Sequence, residues 1–102
     1  MKYKTHNEID IDINKTCLQG YINTDYSTLR TCFGEPHDAD EYKSDAGWNI
    51  CFENGKVASI YNWKNGHNYC GADGTPVTYI TKWNIGGHEK QVVEMIQKVI
   101  ES

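Results

Sequence analysis

In this 102-residue chain Lys43 after Tyr42, Lys64 after Trp63 and Lys82 before Trp83 stand directly beside aromatic rings. Ring faces stack on nucleobases and ammonium groups hold phosphates, so this interleaving is the local composition of a nucleotide pocket. Strand ends share that composition, because lysine is a common solvent-exposed neighbour there. Tyr61 and Tyr69 flank the same stretch and complete the aromatic candidates. Further on, Trp83-Asn84-Ile85-Gly86-Gly87-His88 passes from strand-like alternation into a helical pattern through two glycines. Amides at a helix N-terminus attract anions, and glycine lets a phosphate approach the backbone. Gly86, Gly87 and His88 are therefore expected to hold phosphate. A tight strand-to-helix turn would use the same glycines, and neither the dinucleotide nor the Walker pattern is present.

Metal and hydrolytic chemistry have weaker support. His67 and Cys70 supply two ligand types three residues apart, and His37 lies near Asp38 and Asp40, but neither set has a third ligand at a recognisable spacing. No Cys-x-x-Cys pair occurs among cysteines 17, 32, 51 and 70, so a structural zinc is not expected. Cys32 and Cys51 fall in apolar patterns and read as small buried hydrophobes. A Cys70–His67 nucleophile would need an orienting acid that sequence spacing does not supply. Asp10 and Asp12 share the polar face of their segment and read as solvated charge. No catalytic residue, metal or cofactor is expected, and binding without chemistry is the reading.

The net charge of −4, with Arg30 as the single arginine, leaves few cations for long DNA or RNA, whereas a small anion needs only a few placed donors. Charged residues are 24% and hydrophobic ones 38%, with three Trp and seven Tyr restoring buriable area, so a folded single domain over residues 1–102 is expected. No leader-like apolar segment or run of eighteen apolar residues appears, so a cytoplasmic protein with reduced thiols and no membrane contact is expected.

The elements that must position these residues centre on Gly47 to Lys64. Trp48, Ile50 and Phe52 alternate with polar neighbours. Val57, Ser59, Tyr61 and Trp63 alternate on the return, and Asn54-Gly55 between them predicts a hairpin with a tight primed turn. Ile9, Ile11 and Ile13 predict a first strand, turning at Asn14-Lys15 into a second from Thr16 to Ile22. Asn23 or Thr24 is expected to cap a short helix ending near Gly34, with Asp25 in its first turn and Leu29, Cys32 and Phe33 on its apolar stripe. Glu35 to Asp45 reads as an acidic surface loop, and Asn65 to Pro76 as a long irregular connection. Val77 to Ile85 predicts a further strand, and His88 to Ser102 an amphipathic helix. The order ββαβββα implies an α+β fold, an antiparallel sheet of about five strands with two helices on one face.

Phe33-Gly34-Glu35-Pro36, Tyr42 to Trp48, Val57 to Lys64 and Trp83 to Gly87 together resemble a family of small, mostly uncharacterised proteins encoded by bacteriophages, over residues 16–100. The resemblance implies a viral protein acting in host cytoplasm, and size and origin suggest counter-defence. The expected function is sequestration of a small nucleotide-derived immune signal, with aromatic rings on the base and Lys43, Lys64 or the Gly86-Gly87 amides on phosphate. A homo-oligomer is expected, because a chain this short has little room for an enclosed pocket. The alternative partner is a host defence protein, inhibited in the manner of an anti-CRISPR by an acidic loop that mimics nucleic-acid phosphates.

Overall fold

The computed structural model describes residues 2–37, 45–63 and 65–102. Five strands form one antiparallel sheet in the order β1-β3-β4-β5-β2: β1 Tyr3–Thr5, β2 Cys17–Asn23, β3 Gly47–Phe52, β4 Val57–Tyr61 and β5 Lys82–Gly87. Helix α1, Tyr26–Phe33, lies between β2 and β3, a single turn α2, His67–Cys70, between β4 and β5, and α3, Gln91–Glu101, closes the chain. The expected α+β architecture and its ββαβββα order hold, with helical turns added between β4 and β5. Among the described residues no helix is long and apolar enough to cross a membrane.

The helix-facing side of the sheet is the core. Trp48, Ile50, Ala58, Ile60, Trp83 and Ile85 from the central strands are fully buried with Leu29 and Ile96 of the helices. Trp48 and Trp83 meet edge to face at 5.6 Å, and Tyr26 stacks over Trp83 at 6.4 Å. Each indole N–H finds a carbonyl, Trp48 donating to Gly34 at 2.8 Å and Trp83 to Thr24 at 3.1 Å, so these large rings are buried without an orphaned donor. C-terminal carbonyls of α1 are met by side chains from β1 and the loop after it: Tyr3 donates to Cys32 O, and Asn7 donates to Phe33 O and, just beyond the helix, to Glu35 O.

Several local expectations are corrected. Ile9–Ile13 forms no strand, and the first strand is Tyr3–Thr5, paired with β3 rather than with β2. No first hairpin exists, since β1 and β2 are opposite edges of the sheet. The cap of α1 is Asp25, whose carboxylate accepts from Thr28 N–H at 2.8 Å, and not Asn23 or Thr24. The β3–β4 turn is not primed. Gly55 has φ 86° while Asn54 stays negative, and Gly55 N–H donates to Phe52 O, which is a type I turn followed by one left-handed glycine. Val77–Tyr79 is a 3-10 turn, so the last strand starts at Lys82. The Asn65–Pro76 connection is closed on itself, with Thr75 N–H donating to Asn65 O at 2.8 Å.

Candidate functional site

None of the described acidic residues lies in a strand; the described strands carry only Lys4 and Lys82 as charges. The described strands therefore place no carboxylate on the sheet face turned away from the helices, in a protein of net charge −4. On this face β5 aligns Asn84 with Tyr21 of β2 on one side and Tyr61 of β4 on the other. The two tyrosines stand on strands separated by about 10 Å, two strand spacings, and the Tyr61 ring leans toward the next row, its Cε1 3.6 Å from where a Cβ on Gly86 would lie. Asn84, half-buried between them, offers both an amide donor and an acceptor.

The next row is small. Leu18, Gly86, Ser59 and Asn49 are aligned across four strands, and Gly86 and Ser59 are buried. A Cβ on Gly86 would lie 2.6 Å from Ser59 Oγ, so only glycine keeps this floor low. Lys82 places its ammonium 4.4 Å from the centre of the Tyr21 ring, held by the ring quadrupole at the rim of the row. Trp63, 40% exposed, stands edge to face with Tyr61 at 6.1 Å and extends the aromatic wall beyond the end of β4.

Asn62 fixes where Trp63 emerges. Fully buried, it accepts from the Asp45 and Ala46 amides at 2.7 and 3.1 Å and donates to Asp45 Oδ1 and Asn65 Oδ1, both at 3.1 Å. Every donor and acceptor of its amide is used, tying the start of β3 to the end of β4. Gly66 completes the knot, because a Cβ there would fall 2.0 Å from Asp45 Oδ1.

Two histidines border the row at its β3 end. His37 lies against Gly47, where a Cβ would meet its ring at 2.7 Å, and its Nε2 is 3.2 Å from Asn49 Oδ1. His6 packs edge to face on His37 at 5.0 Å. Its Nε2–H donates to Glu35 O at 2.9 Å and its Nδ1 accepts from Asn49 N–H at 3.3 Å, which requires the neutral imidazole. Burial first, and then the neighbouring His37, hold the His6 pKa below the ordinary imidazole value. Burial pushes the Cys32 thiol up, away from nucleophile chemistry. No group of three metal-ligating side chains occurs among the described residues.

The residues expected from sequence divide sharply. Tyr61 and Trp63 share this face. Trp83 is fully buried in the core and cannot stack on a ligand there. Gly86 and Gly87 sit inside β5, paired on both sides, and α3 begins only at Gln91, so they are not helix N-terminal amides. A Cβ on Gly87 would lie 2.7 Å from Val92 Cγ2, which identifies it as the contact that lets α3 rest on the sheet. His88 is exposed at the opposite end of the sheet, in a 210 Å³ depression with Lys56 and Glu89. Tyr69 is on α2 and 43% exposed. Tyr42, Lys43, Lys64, Asp38, Asp40 and Glu41 lie outside the described residues.

Tyr21, Asn84, Ser59 and Asn62 were not among the expected site residues. Tyr21 and Asn84 are out of phase with the buried Ile22, Trp83 and Ile85, and that alternation is the signal that marks them as facing away from the core. No protein-family model matches this chain, and no curated protein matches it significantly.

Proposed function

We propose that this protein binds and sequesters a small nucleotide-type ligand without altering it, as a bacteriophage counter-defence factor acting on a nucleotide-derived immune signal. The observation that carries the reading is a sheet face on which the described strands place no acid, with its Tyr21–Asn84–Tyr61 row, the Trp63 ring beside it and Lys82 at its rim. Two rings either side of an amide suit a base, which offers flat faces and a hydrogen-bonding edge. Lys82 suits a phosphate, and the acidic remainder of the chain disfavours long nucleic acid without opposing a ligand of a few charges. The site proposed from the sequence shifts accordingly: Tyr61, Trp63 and Lys82 stay, Tyr21 and Asn84 join, and Trp83, Gly86, Gly87 and His88 take structural or distant places.

Calorimetric titration against cyclic dinucleotides, cyclic trinucleotides and cyclic ADP-ribose isomers tests the proposal. Saturable binding of one class is expected, weakened about tenfold or more by Tyr61→Ala or Lys82→Ala, in line with the ~1–3 kcal/mol of a stacked base. The bound molecule should leave heat-denatured protein with its mass unchanged. A lack of binding to all three classes would sink the reading, and a changed mass would replace sequestration by catalysis.

A further inference from the structure

We propose that β2 is the subunit interface of a homodimer, in which two copies join their sheets edge to edge about a two-fold axis at Ile22. Among the described residues β2 pairs only with β5, so its outer side is a free edge of seven residues. Natural edge strands are commonly guarded by charge, proline or a bulge. Cys-Leu-Gln-Gly-Tyr-Ile-Asn has no charge and no proline, and no acid occurs between Asp12 and Asp25. Its one irregularity lies between Leu18 and Gly20 and leaves Gly20 to Asn23 regular. Leu18 and Tyr21 on this strand are about half exposed, at 49% and 50%.

The backbone direction selects the register. Thr24 N–H donates to Thr81 O at 2.9 Å, continuing the β5 ladder beyond Asn23. Hydrogen-bonding direction alternates along an antiparallel strand, so Ile22 and Gly20 face β5 and Tyr21 and Asn23 turn both N–H and C=O to the free edge. The β2–β5 register shifts between Leu18 and Gly20, which leaves the regular stretch to end at Gly20. With the axis at Ile22, Tyr21 of one copy lies opposite Asn23 of the other and the reverse, so each outward group meets its complement without using the irregular part.

A second copy is the occupant that this pattern favours. An isologous contact needs residue i to meet j and j to meet i, and two outward residues at i and i+2 satisfy that with nothing left over. Mutual approach along an uncharged edge also avoids the repulsion that copies of net charge −4 meet elsewhere. Asn23 is aligned with Lys82 on β5, so the dimer continues the Asn84–Tyr21 row into Asn23 and Lys82 of the second copy. The interface itself does not depend on the ligand reading.

The wild-type chain is expected to run in light scattering at twice its 11.7 kDa mass across micromolar concentrations. Asn23→Lys, an exposed guard charge, should return it to the monomer mass with an unchanged circular dichroism spectrum. Register is read by oxidative cross-linking in a background where the exposed Cys17 and Cys70 are serine. A hydrogen-bonded antiparallel pair has Cα atoms about 5.5 Å apart, within disulfide reach. A mixture of Tyr21→Cys and Asn23→Cys chains should yield a covalent heterodimer of summed mass, while each variant alone, two residues out of register, should not link. A monomeric wild type, or a mixture that gives no heterodimer, overturns the proposal; capture of a foreign protein by a monomeric wild type would assign the edge to another partner.

Discussion

Asn62 shows how one side chain sets the geometry of the candidate site. It is sealed from solvent, and its four hydrogen bonds hold two backbone amides and two side-chain oxygens. Asn62→Ala would leave the buried Ala46 amide without that acceptor, so a loss of about 2–3 kcal/mol is expected, seen as a lower urea midpoint at unchanged slope. His6 makes a second residue-scale prediction. Its native hydrogen bonds require the neutral ring, and its folded pKa lies below the unfolded value of about 6.5. The unfolded chain then binds more protons between those two values, so stability from this group is present above pH 6.5 and lost as pH falls toward the folded pKa. Urea midpoints from pH 7.5 to about 5 should decline in wild type, and His6→Gln should flatten that decline; equal slopes in both would refute the assignment.

At the scale of elements, the two glycines of β5 are distinguished by what faces them. Gly87 faces α3, where an added Cβ would sit 2.7 Å from Val92 Cγ2 and 3.3 Å from Val57 O. Gly87→Ala should cost about 1–3 kcal/mol by overpacking, and Val92→Ala in the same chain should recover part of it, a coupling that a thermodynamic cycle measures. Gly55 has open space around it but a φ of 86°, so Gly55→Ala should cost about 1–2 kcal/mol from backbone strain with no rescue by any neighbour. The β3–β4 hairpin was legible in the sequence because one alternating face became the core. Alternation at Ile9, Ile11 and Ile13 misled, because a period of two reports facing but not pairing. The three residues of β1 that do pair with β3 are too few to show a period. The Gly86-Gly87 step was misassigned because glycine marks both a turn and a close approach, and only the position of α3 separates them. Tyr21 could not be joined to Tyr61 before the strand order was known, since 40 positions of sequence and one intervening strand separate them.

For the whole molecule, the arrangement of charge couples folding to the proposed binding. The carboxylates of the described residues lie on loops, turns and helices, outside a sheet that carries two lysines, so among the described surfaces a small anion meets little repulsion at the Tyr21–Tyr61 row. A ligand that binds only the folded chain stabilises it by mass action, about 2.7 kcal/mol at a hundredfold excess over Kd. In a domain of about 100 residues, with roughly 4 °C or more per kcal/mol, the melting temperature should rise by about 10 °C or more. Lys82→Ala should lose about half of that rise at the same ligand concentration, because a tenfold weaker Kd leaves about 1.4 kcal/mol of stabilisation, while the ligand-free melting temperature stays near wild type for a side chain exposed at the rim. Raising salt should reduce the shift in wild type more than in Lys82→Ala, since the exposed ammonium is the part of the site that salt screens. A shift that is equal in both chains and indifferent to salt would place the ligand elsewhere on the protein.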